Sequence, residues 1–403
     1  MATTSASGHV IERLDRPTVE LSLSETARLS KRDLLLLPLL SLLTVFVLFG
    51  MSEAVTRLLW PTEYSHACIV PDPLEGYRFK PNCSVRGKIA EGAWITYHYN
   101  ECGYRSEGSC EAKPPGSIRI AILGSSMSQA LHVSYDDAFF SRLAVSLGRS
   151  CARRIDVQNL GVPGSSPAYA DRHVQEALAL NPDVVLYLVV PYDLNQQLLP
   201  KGLGDPAAPA LVPSSAPMQP AVSTLNRLEH QIIQSRTLLV AQHFVFENRE
   251  TYIRAYLMYG DKADYLRQPF TPAWQRRFAD LDVTIGDIAD RLHHAGVPLV
   301  ILAVPSRAEA ALLGSSQLPA HVDPLAFGRA IQAIASRHGA GYVDLMGPIS
   351  RIPNAENLYY PVDGHVTPEG HKVIAQALAQ KLQDGSVPAF SHCAPPQSAE
   401  RRP

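Results

Sequence analysis

A serine, a histidine and an aspartate lie in segments of the sequence that favour nucleophilic catalysis. Ser126 lies in ILGSSMSQ (122–129), directly after an apolar run, and Asp363 and His365 lie two positions apart in VDGHVTPEGH (362–371). A carboxylate beside an imidazole fixes its tautomer, and the imidazole can then accept a proton from a serine hydroxyl. Together the three residue types suit acyl transfer through a Ser-His-Asp triad. Each has a structural alternative when taken alone, because serine also caps helices and most loop histidines are surface residues.

Two further segments offer groups that could stabilise an oxyanion. Gly164 lies in NLGVPGSSP (159–167), where its backbone N–H could approach a reacting oxygen, and Asn195 lies in VVPYDLNQQ (189–197). With the N–H of Ser126, they are the candidate oxyanion donors. The alternatives are an ordinary Gly/Pro turn and an Asx turn. His371 is the competing imidazole, and its place at the start of a predicted helix favours a structural role.

Short apolar runs alternate with helical patterns over most of the chain. The predicted strands are 118–123, 154–161, 183–190, 298–305 and 341–345. The predicted helices are 139–149, 170–180, 277–296, 323–339 and 371–385. This alternation predicts an α/β fold with three layers, in which helices cover both faces of a mainly parallel five-stranded sheet. Ligands bind such sheets at the carboxyl ends of the strands, where the candidate residues fall.

The composition changes along the chain and predicts its organisation. We expect a cytoplasmic tail (1–32), a transmembrane anchor (33–60), a β-rich segment containing cysteines (61–116), the main domain (117–385) with an insertion (200–276), and an irregular tail (386–403). The alternation in WITYHYN (94–100) favours a strand in the β-rich segment.

The anchor is predicted from eighteen residues without a charge, LLLLPLLSLLTVFVLFGM (34–51). At about 1.5 Å per residue they span roughly 27 Å, close to the thickness of the hydrocarbon core. A buried core helix and a cleaved signal peptide are the alternatives. Lys31 and Arg32 precede the apolar run, so the positive-inside rule places the N-terminus in the cytoplasm. The expected location is the inner membrane, with a single span and a periplasmic domain.

The cysteines fit an exported domain, because all six follow the predicted anchor. Sequence proximity favours the pairs Cys68–Cys83 and Cys102–Cys110, although spacing alone leaves the connectivity open. There is no C-x-x-C motif, and we predict neither a metal nor a cofactor. The net charge of −2 and the lack of a basic run argue against nucleic acid as a partner.

Together these segments resemble the SGNH, or GDSL-type, hydrolase superfamily over residues 117–385. The four matching blocks are ILGSSMS, NLGVPG, VPYDLN and DGHVTPEGH. Two stretches ahead of the main domain, PLEGYRFKPN and NECGYRS, resemble those that precede the fold in membrane-anchored bacterial members. The resemblance implies a flavodoxin-like sheet, Ser126 as nucleophile, the N–H of Gly164 as an oxyanion donor, and Asp363 orienting His365 as general base.

The sequence departs from the family pattern at three places. Ser125 replaces the usual Asp of the first block, and Tyr192 replaces the Asn of the third block that normally donates to the oxyanion. Asn195 is our hypothesis for a replacement donor. The Asp363-to-His365 spacing is two where three is common, which resembles variants found in polysaccharide O-acetylation enzymes.

The function expected from this pattern is that of a serine esterase. It would deacetylate a cell-envelope or extracellular glycan, with an acylated glycan or a small ester as substrate and the membrane as its other partner. Two alternatives remain open: a polysaccharide O-acetyltransferase, in which a sugar replaces water as the acceptor, and an inactive glycan-binding domain, suggested by Tyr192.

Overall fold

A computed structural model of the chain describes residues 30–72, 76–195, 235–315 and 317–393. The chain divides into two units, with the boundary between Met51 and Ser52. The first contains most of a long helix, α1 (Lys31–Leu59), and the second contains the end of α1 and everything that follows. The predicted cytoplasmic tail lies outside the described residues up to position 29.

Helix α1 is the apolar segment expected from the sequence. The most apolar 18-residue window within Leu34–Leu59 has a mean hydropathy of 2.6, and this stretch is long and apolar enough to cross a membrane. None of its most apolar window is buried against protein. A core helix of a soluble protein would be mostly covered, so the structure disfavours that alternative.

The β-rich segment folds as two antiparallel pairs. Their strands are β1 (Ile69–Asp72), β2 (Gly76–Phe79), β3 (Ser84–Gly87) and β4 (Ile95–His98). Two disulfides hold this segment, Cys68–Cys83 and Cys102–Cys110, and these are the pairs favoured from sequence proximity. Strand β4 corresponds to the alternating stretch WITYHYN.

A five-stranded sheet forms the centre of the second unit. Its strands are β5 (Ile118–Leu123), β6 (Ile155–Asn159), β7 (Val184–Val189), β8 (Leu299–Ala303) and β9 (Gly341–Val343). All neighbouring pairs are parallel, in the order β6-β5-β7-β8-β9. Every residue of β5, β7 and β8 is buried, which explains their continuous apolar runs. The predicted α/β fold is confirmed.

Helices follow the strands as the alternation predicted. They are α2 (Ser126–Gln129), α3 (Phe139–Cys151), α4 (Pro167–Ala179), α5 (Pro191–Asn195), α6 (Arg236–Phe246), α7 (Arg249–Leu257), α8 (Pro272–His294), α9 (Arg307–Leu313), α10 (Ala326–Arg337), α11 (Met346–Ile349) and α12 (Pro368–Leu382). Short 3₁₀ turns cover Gly260–Lys262, Asp264–Leu266, Ala355–Leu358 and Pro388–Phe390. The predicted insertion (200–276) lies partly outside the described residues, and its described part contains α6 and α7.

The sheet separates two hydrophobic cores. Successive strand residues point to opposite faces, so Ile120 packs with α3 and α12, whereas Ala121 packs with α4, α8 and α10. Three of these helices begin earlier than the apolar periodicity suggested, and each starts with a proline: Pro167, Pro272 and Pro368. Proline suits the first helical position because its missing N–H would be unpaired there.

The predicted C-terminal tail is not wholly irregular. Phe390 is buried in the core around α3 and α12, and a third disulfide joins Cys393 to Cys151 at the end of α3. This bond fastens the end of the chain to the main domain. Residues 394–403 of the tail lie outside the described residues.

Candidate active site

Ser126 lies at the carboxyl end of the central strand β5, where it begins the one-turn helix α2. The connection requires Gly124, which has a φ of +140°. A Cβ at this position would lie 2.8 Å from the carbonyl oxygen of Leu188 on the neighbouring strand. Only glycine allows the chain to turn this sharply against β7, and the turn presents Ser126 at the edge of the sheet.

The loop after β6 packs directly against this turn. The side-chain amide of Asn159 donates to the carbonyl of Ser128 at 2.8 Å, and the N–H of Val162 donates to the carbonyl of Gly124 at 3.1 Å. A Cβ on Gly161 would collide with the Ser128 hydroxyl. The second motif therefore supports the segment that carries Ser126.

Asp363 and His365 lie in a closed turn between a 3₁₀ helix and α12. The N–H of Tyr360 donates to the carbonyl of His365 at 2.9 Å, and the N–H of Gly364 donates to the carbonyl of Tyr360 at 3.0 Å. Thr367 then caps the N-terminus of α12. These bonds hold the turn, so both side chains project from a rigid element.

The structure brings the serine, the histidine and the aspartate together. The Nε2 atom of His365 lies 2.8 Å from the Ser126 hydroxyl, and its Nδ1 atom lies 2.7 Å from Oδ1 of Asp363. Because the carboxylate accepts the Nδ1–H, the lone pair of Nε2 faces the hydroxyl. This is the arrangement in which an imidazole can take a proton from serine.

The electrostatics of Asp363 suit a permanent negative charge beside His365. Partial burial on its own would raise the pKa of this carboxyl, but the hydrogen bond and charge interaction with His365, together with His132, lower the pKa below its usual value. Asp363 is therefore ionised at neutral pH. Its charge favours the protonated imidazole that forms during proton transfer.

His132 is a neighbour of the triad that the sequence analysis did not identify. Its Nε2 atom lies 3.6 Å from Oδ2 of Asp363, and its ring meets the ring of His365 edge-on at 5.0 Å between centroids. Burial lowers its pKa to about 4, so its imidazole is neutral at physiological pH. The hydroxyls of Tyr97 and Tyr360 hold its backbone N–H and C=O.

Two buried charges from the β-rich segment also support the site. The carboxylate of Glu91 accepts from the backbone N–H of Asp363 at 2.9 Å and lies 2.7 Å from Nδ1 of His243 on α6. The guanidinium of Arg105 donates to three carbonyls of the turn that carries His132: Gln129, Ala130 and Val133, at 2.5–2.6 Å. Arg105 belongs to the stretch NECGYRS, whose resemblance to membrane-anchored family members was the only sequence feature that pointed to it. No sequence feature pointed to Glu91.

Part of the chain matches a known family model. Residues 265–402 match the family model described as the SGNH hydrolase-like domain of the acetyltransferase AlgX. This part of the chain is therefore similar to an SGNH hydrolase-like domain. The matched range includes Asp363 and His365, whereas Ser126 lies outside it, nearer the N-terminus. No curated protein matches the sequence significantly.

Several solved structures resemble this chain at low sequence identity. An Axe2 catalytic mutant, an acetylxylan esterase from Geobacillus stearothermophilus, is 11% identical, with 69% of this chain and 98% of that chain covered and a TM-score of 0.40. A lipase/acylhydrolase from Enterococcus faecalis is 10% identical, with 70% and 100% covered and a TM-score of 0.37. TesA is 12% identical, with 66% and 98% covered and a TM-score of 0.36.

Ser125, which replaces the aspartate expected from the motif, lies beside a buried carboxyl, that of Asp193. Burial raises the pKa of Asp193 to about 7, although the N–H of Val190 donates to its carboxyl and partly stabilises its charge. An aspartate at position 125 would place a second carboxyl beside this buried one, and two such groups cannot both ionise cheaply. Serine avoids this repulsion, and its Oγ atom is buried without a hydrogen-bond partner among the described residues.

The three predicted oxyanion donors occupy different environments. Ser126 opens α2, and Gly164 lies in an exposed turn with a φ of +74°. Asn195 ends α5, and its Oδ1 atom is buried without a hydrogen-bond partner among the described residues. Tyr192 of the same helix is 57% exposed. The roles of Gly164 and Asn195 remain predictions.

Two other histidine features bear on the site. His371 has a structural role, because its ring stacks on Phe139 and its Nδ1 atom accepts the Phe139 N–H at 3.3 Å.

The potential metal ligands His132, Asp363 and His365 have donor atoms within 4.8 Å of one another. Both ring nitrogens of His365 are already in hydrogen bonds to Ser126 and Asp363, so we interpret the group as a proton-transfer network.

Proposed function

We propose that this SGNH chain is a serine esterase that removes acyl groups, chiefly acetyl, from a cell-envelope or extracellular glycan. The observation that carries the proposal is the 2.8 Å contact between the Ser126 hydroxyl and Nε2 of His365, with Asp363 on the other side of the ring. An ordinary capping serine would have no reason to meet an imidazole that is itself oriented by a carboxylate.

The mechanism follows from these contacts. His365 takes the Ser126 proton as the serine oxygen attacks the ester carbonyl, and Asp363 stabilises the resulting imidazolium. The backbone N–H groups of Ser126 and Gly164, with Asn195 as a third donor, bind the oxyanion. His365 then gives its proton to the departing sugar oxygen, which leaves an acyl-enzyme. A water molecule, activated by the same imidazole, releases the acyl group as the acid and restores the serine.

The proposed setting is the outer face of the inner membrane. Helix α1 is the proposed single-pass anchor, and Lys31 and Arg32 at its start favour a cytoplasmic N-terminus. Three disulfides in the second unit support an oxidising compartment for the domain. A glycan of the cell envelope would be within reach of a domain held there.

A second candidate function is favoured by the family match. The matched family model is described by an acetyltransferase, and the same acyl-enzyme can pass its acyl group to a sugar hydroxyl in place of water. The two functions share Ser126, His365 and Asp363 and differ only in the acceptor of the second step.

The test uses the full chain in detergent with p-nitrophenyl acetate. We expect turnover that Ser126→Ala reduces on the order of 10⁴-fold or more, while Ser336→Ala on the exposed face of α10 retains it. Full turnover by Ser126→Ala would overturn the assignment. Absence of both turnover and fluorophosphonate labelling in the wild type would favour the glycan-binding domain.

A companion measurement separates the two acceptors. Oligosaccharide is added to the acetyl ester, and products are followed by mass spectrometry. Free acetate alone supports the esterase, whereas an acetylated oligosaccharide that requires Ser126 supports the transferase.

A further inference from the structure

Helix α6, the first element described after position 234, exposes an apolar face. Its sequence is RTLLVAQHFVF, and none of its residues is fully buried. Leu238, Phe244 and Val245 are 39%, 59% and 49% exposed. Both basic side chains of the helix have partners elsewhere: Arg236 donates to Thr62, and His243 pairs with Glu91. The exposed side chains of α6 also include Ala241 and Gln242, so the outward face is mainly apolar and carries no charge, which is unusual for a helix surface in contact with water.

The start of α6 is bonded to the last turns of α1. The carboxylate of Glu53 accepts from the backbone N–H groups of Arg236 and Thr237, both at 3.0 Å, and from the Ser235 hydroxyl at 2.8 Å. The hydroxyls of Thr56 and Thr237 lie 3.2 Å apart. Since Glu53 and Thr56 lie in the final part of the apolar helix, α6 begins where the proposed membrane span ends.

The other side of α6 faces the catalytic loop. His243 contacts Glu91, and Glu91 in turn accepts the N–H groups of Val362 and Asp363. Tyr64, which follows α1 closely in the chain, is also near: desolvation and then the charge of Asp363 raise its pKa. Helix α6 thus has an uncharged outer face, and its inner face is connected to Asp363 through His243 and Glu91.

We propose that α6 lies in the outer interface of the membrane that α1 spans, with Leu238, Phe244 and Val245 among the lipid acyl chains. This inference rests on the proposed anchor. Amphipathic helices bind bilayers in this way, with the apolar side at the headgroup boundary. We assign lipid as the occupant because the face is uncharged and because α6 is hydrogen-bonded at its start to Glu53, near the end of the span, where Leu58 and Leu59 are also exposed.

The position of α6 at the membrane would determine where the active site encounters its substrate. A helix held in the interface would keep the loop of Asp363 and His365 close to the membrane surface. The favoured substrate is then an acylated glycan that is still at the membrane, such as one emerging from it or linked to lipid. Glycan far from the membrane would be out of reach.

The test measures the depth of α6 with spin labels on the full chain in proteoliposomes. All six native cysteines are in disulfides, so Phe244→Cys provides a single labelling site. Val283→Cys on α8 is the matched control, because Val283 is 68% exposed and also apolar. We expect the label at 244 to be relaxed more by oxygen than by a water-soluble nickel chelate, and the label at 283 to show the reverse.

Two results would overturn the proposal. If the nickel chelate reaches position 244 as readily as position 283, the helix faces water. If neither reagent reaches position 244, protein covers the face, through a second copy or residues 196–234. Alkaline carbonate extraction distinguishes a failure of the membrane-interface proposal from a failure of the proposed function. Release of the full chain from membranes would refute the anchor and this inference together, whereas turnover of a soluble ester depends only on the triad.

Discussion

The carboxylate of Glu91 accepts a hydrogen bond from the backbone N–H of Asp363 at 2.9 Å, although the two residues are far apart in the sequence. It also accepts the N–H of Val362, at 3.1 Å and 3.2 Å to its two oxygens. The Glu91 side chain is 4% exposed, so water cannot replace these bonds readily. The β-rich segment ahead of the α/β domain is thus part of the scaffold of the candidate active site.

Glu91→Ala is expected to lower kcat by about 10²-fold with little change in KM, because a shift of the Asp363 loop misaligns the triad without removing substrate contacts. Glu91→Gln keeps an oxygen acceptor and should restore most of the activity. The measurement is steady-state turnover of p-nitrophenyl acetate, with the exposed Glu107→Ala as control. Equal losses in the Gln and Ala variants would argue against positioning through these hydrogen bonds.

Asp363→Asn is expected to reduce kcat on the order of 10⁴-fold while the fold is retained. The amide can donate to Nδ1 of His365, which would favour the tautomer whose Nε2 carries a proton and cannot accept one from Ser126. The rate of fluorophosphonate labelling of Ser126 should fall in parallel. Labelling at the wild-type rate would show that Asp363 does not set the state of His365.

His132→Asn is expected to lower kcat by roughly tenfold, because the edge-on ring contact that steadies His365 is lost. Burial lowers the pKa of His132 to about 4, so its imidazole stays neutral from about pH 5 upward. The ratio of wild-type to variant kcat should therefore be the same at pH 6 and pH 8. A ratio that changes between these values would mean that His132 titrates and acts through its charge.

The features that could be predicted from the sequence are those that short sequence patterns encode. The strands β5, β7 and β8 are buried on both faces and read as unbroken apolar runs, and Ser126, Asp363 and His365 lie in loops with recognisable motifs. These patterns located the fold and the three side chains that the structure brings together.

The supporting residues could not be found in the same way. Glu91 and His132 occupy ordinary-looking segments, and they reach the site only through packing between distant parts of the chain. A single polar residue carries no periodicity that would reveal such a contact. Ser125 appeared to be a departure from the family, and its reason became visible only beside the buried Asp193.

Arg105→Met is expected to destabilise the domain, lowering the melting temperature by about 10 °C. Arg105 is 1% exposed, and its charged hydrogen bonds satisfy three carbonyls that would otherwise be buried and unpaired. Differential scanning fluorimetry of the detergent-solubilised chain measures the effect. The exposed Arg254→Met on α7 is the control, and similar melting temperatures for the two variants would contradict the assigned role.

Asp193→Asn should change how stability depends on pH. Burial raises the pKa of Asp193 to about 7 in the folded domain, well above the usual value near 4 that applies after unfolding. Between about pH 4 and pH 7 the native carboxyl keeps a proton that the unfolded one releases. The free energy of unfolding therefore falls as pH rises through this window and levels off above it.

The asparagine variant cannot lose that proton, so its advantage over the wild type should grow from pH 4 to pH 7.5, to a few kcal/mol at most. Buried Glu309, whose pKa is raised to about 8, has the same sign of effect but is present in both proteins and cancels in the difference. Melting curves at matched pH values measure the effect, with the exposed Asp280→Asn as control. Parallel pH profiles for the wild type and Asp193→Asn would show that the native carboxyl is ionised throughout, and would remove the electrostatic reason for serine at position 125.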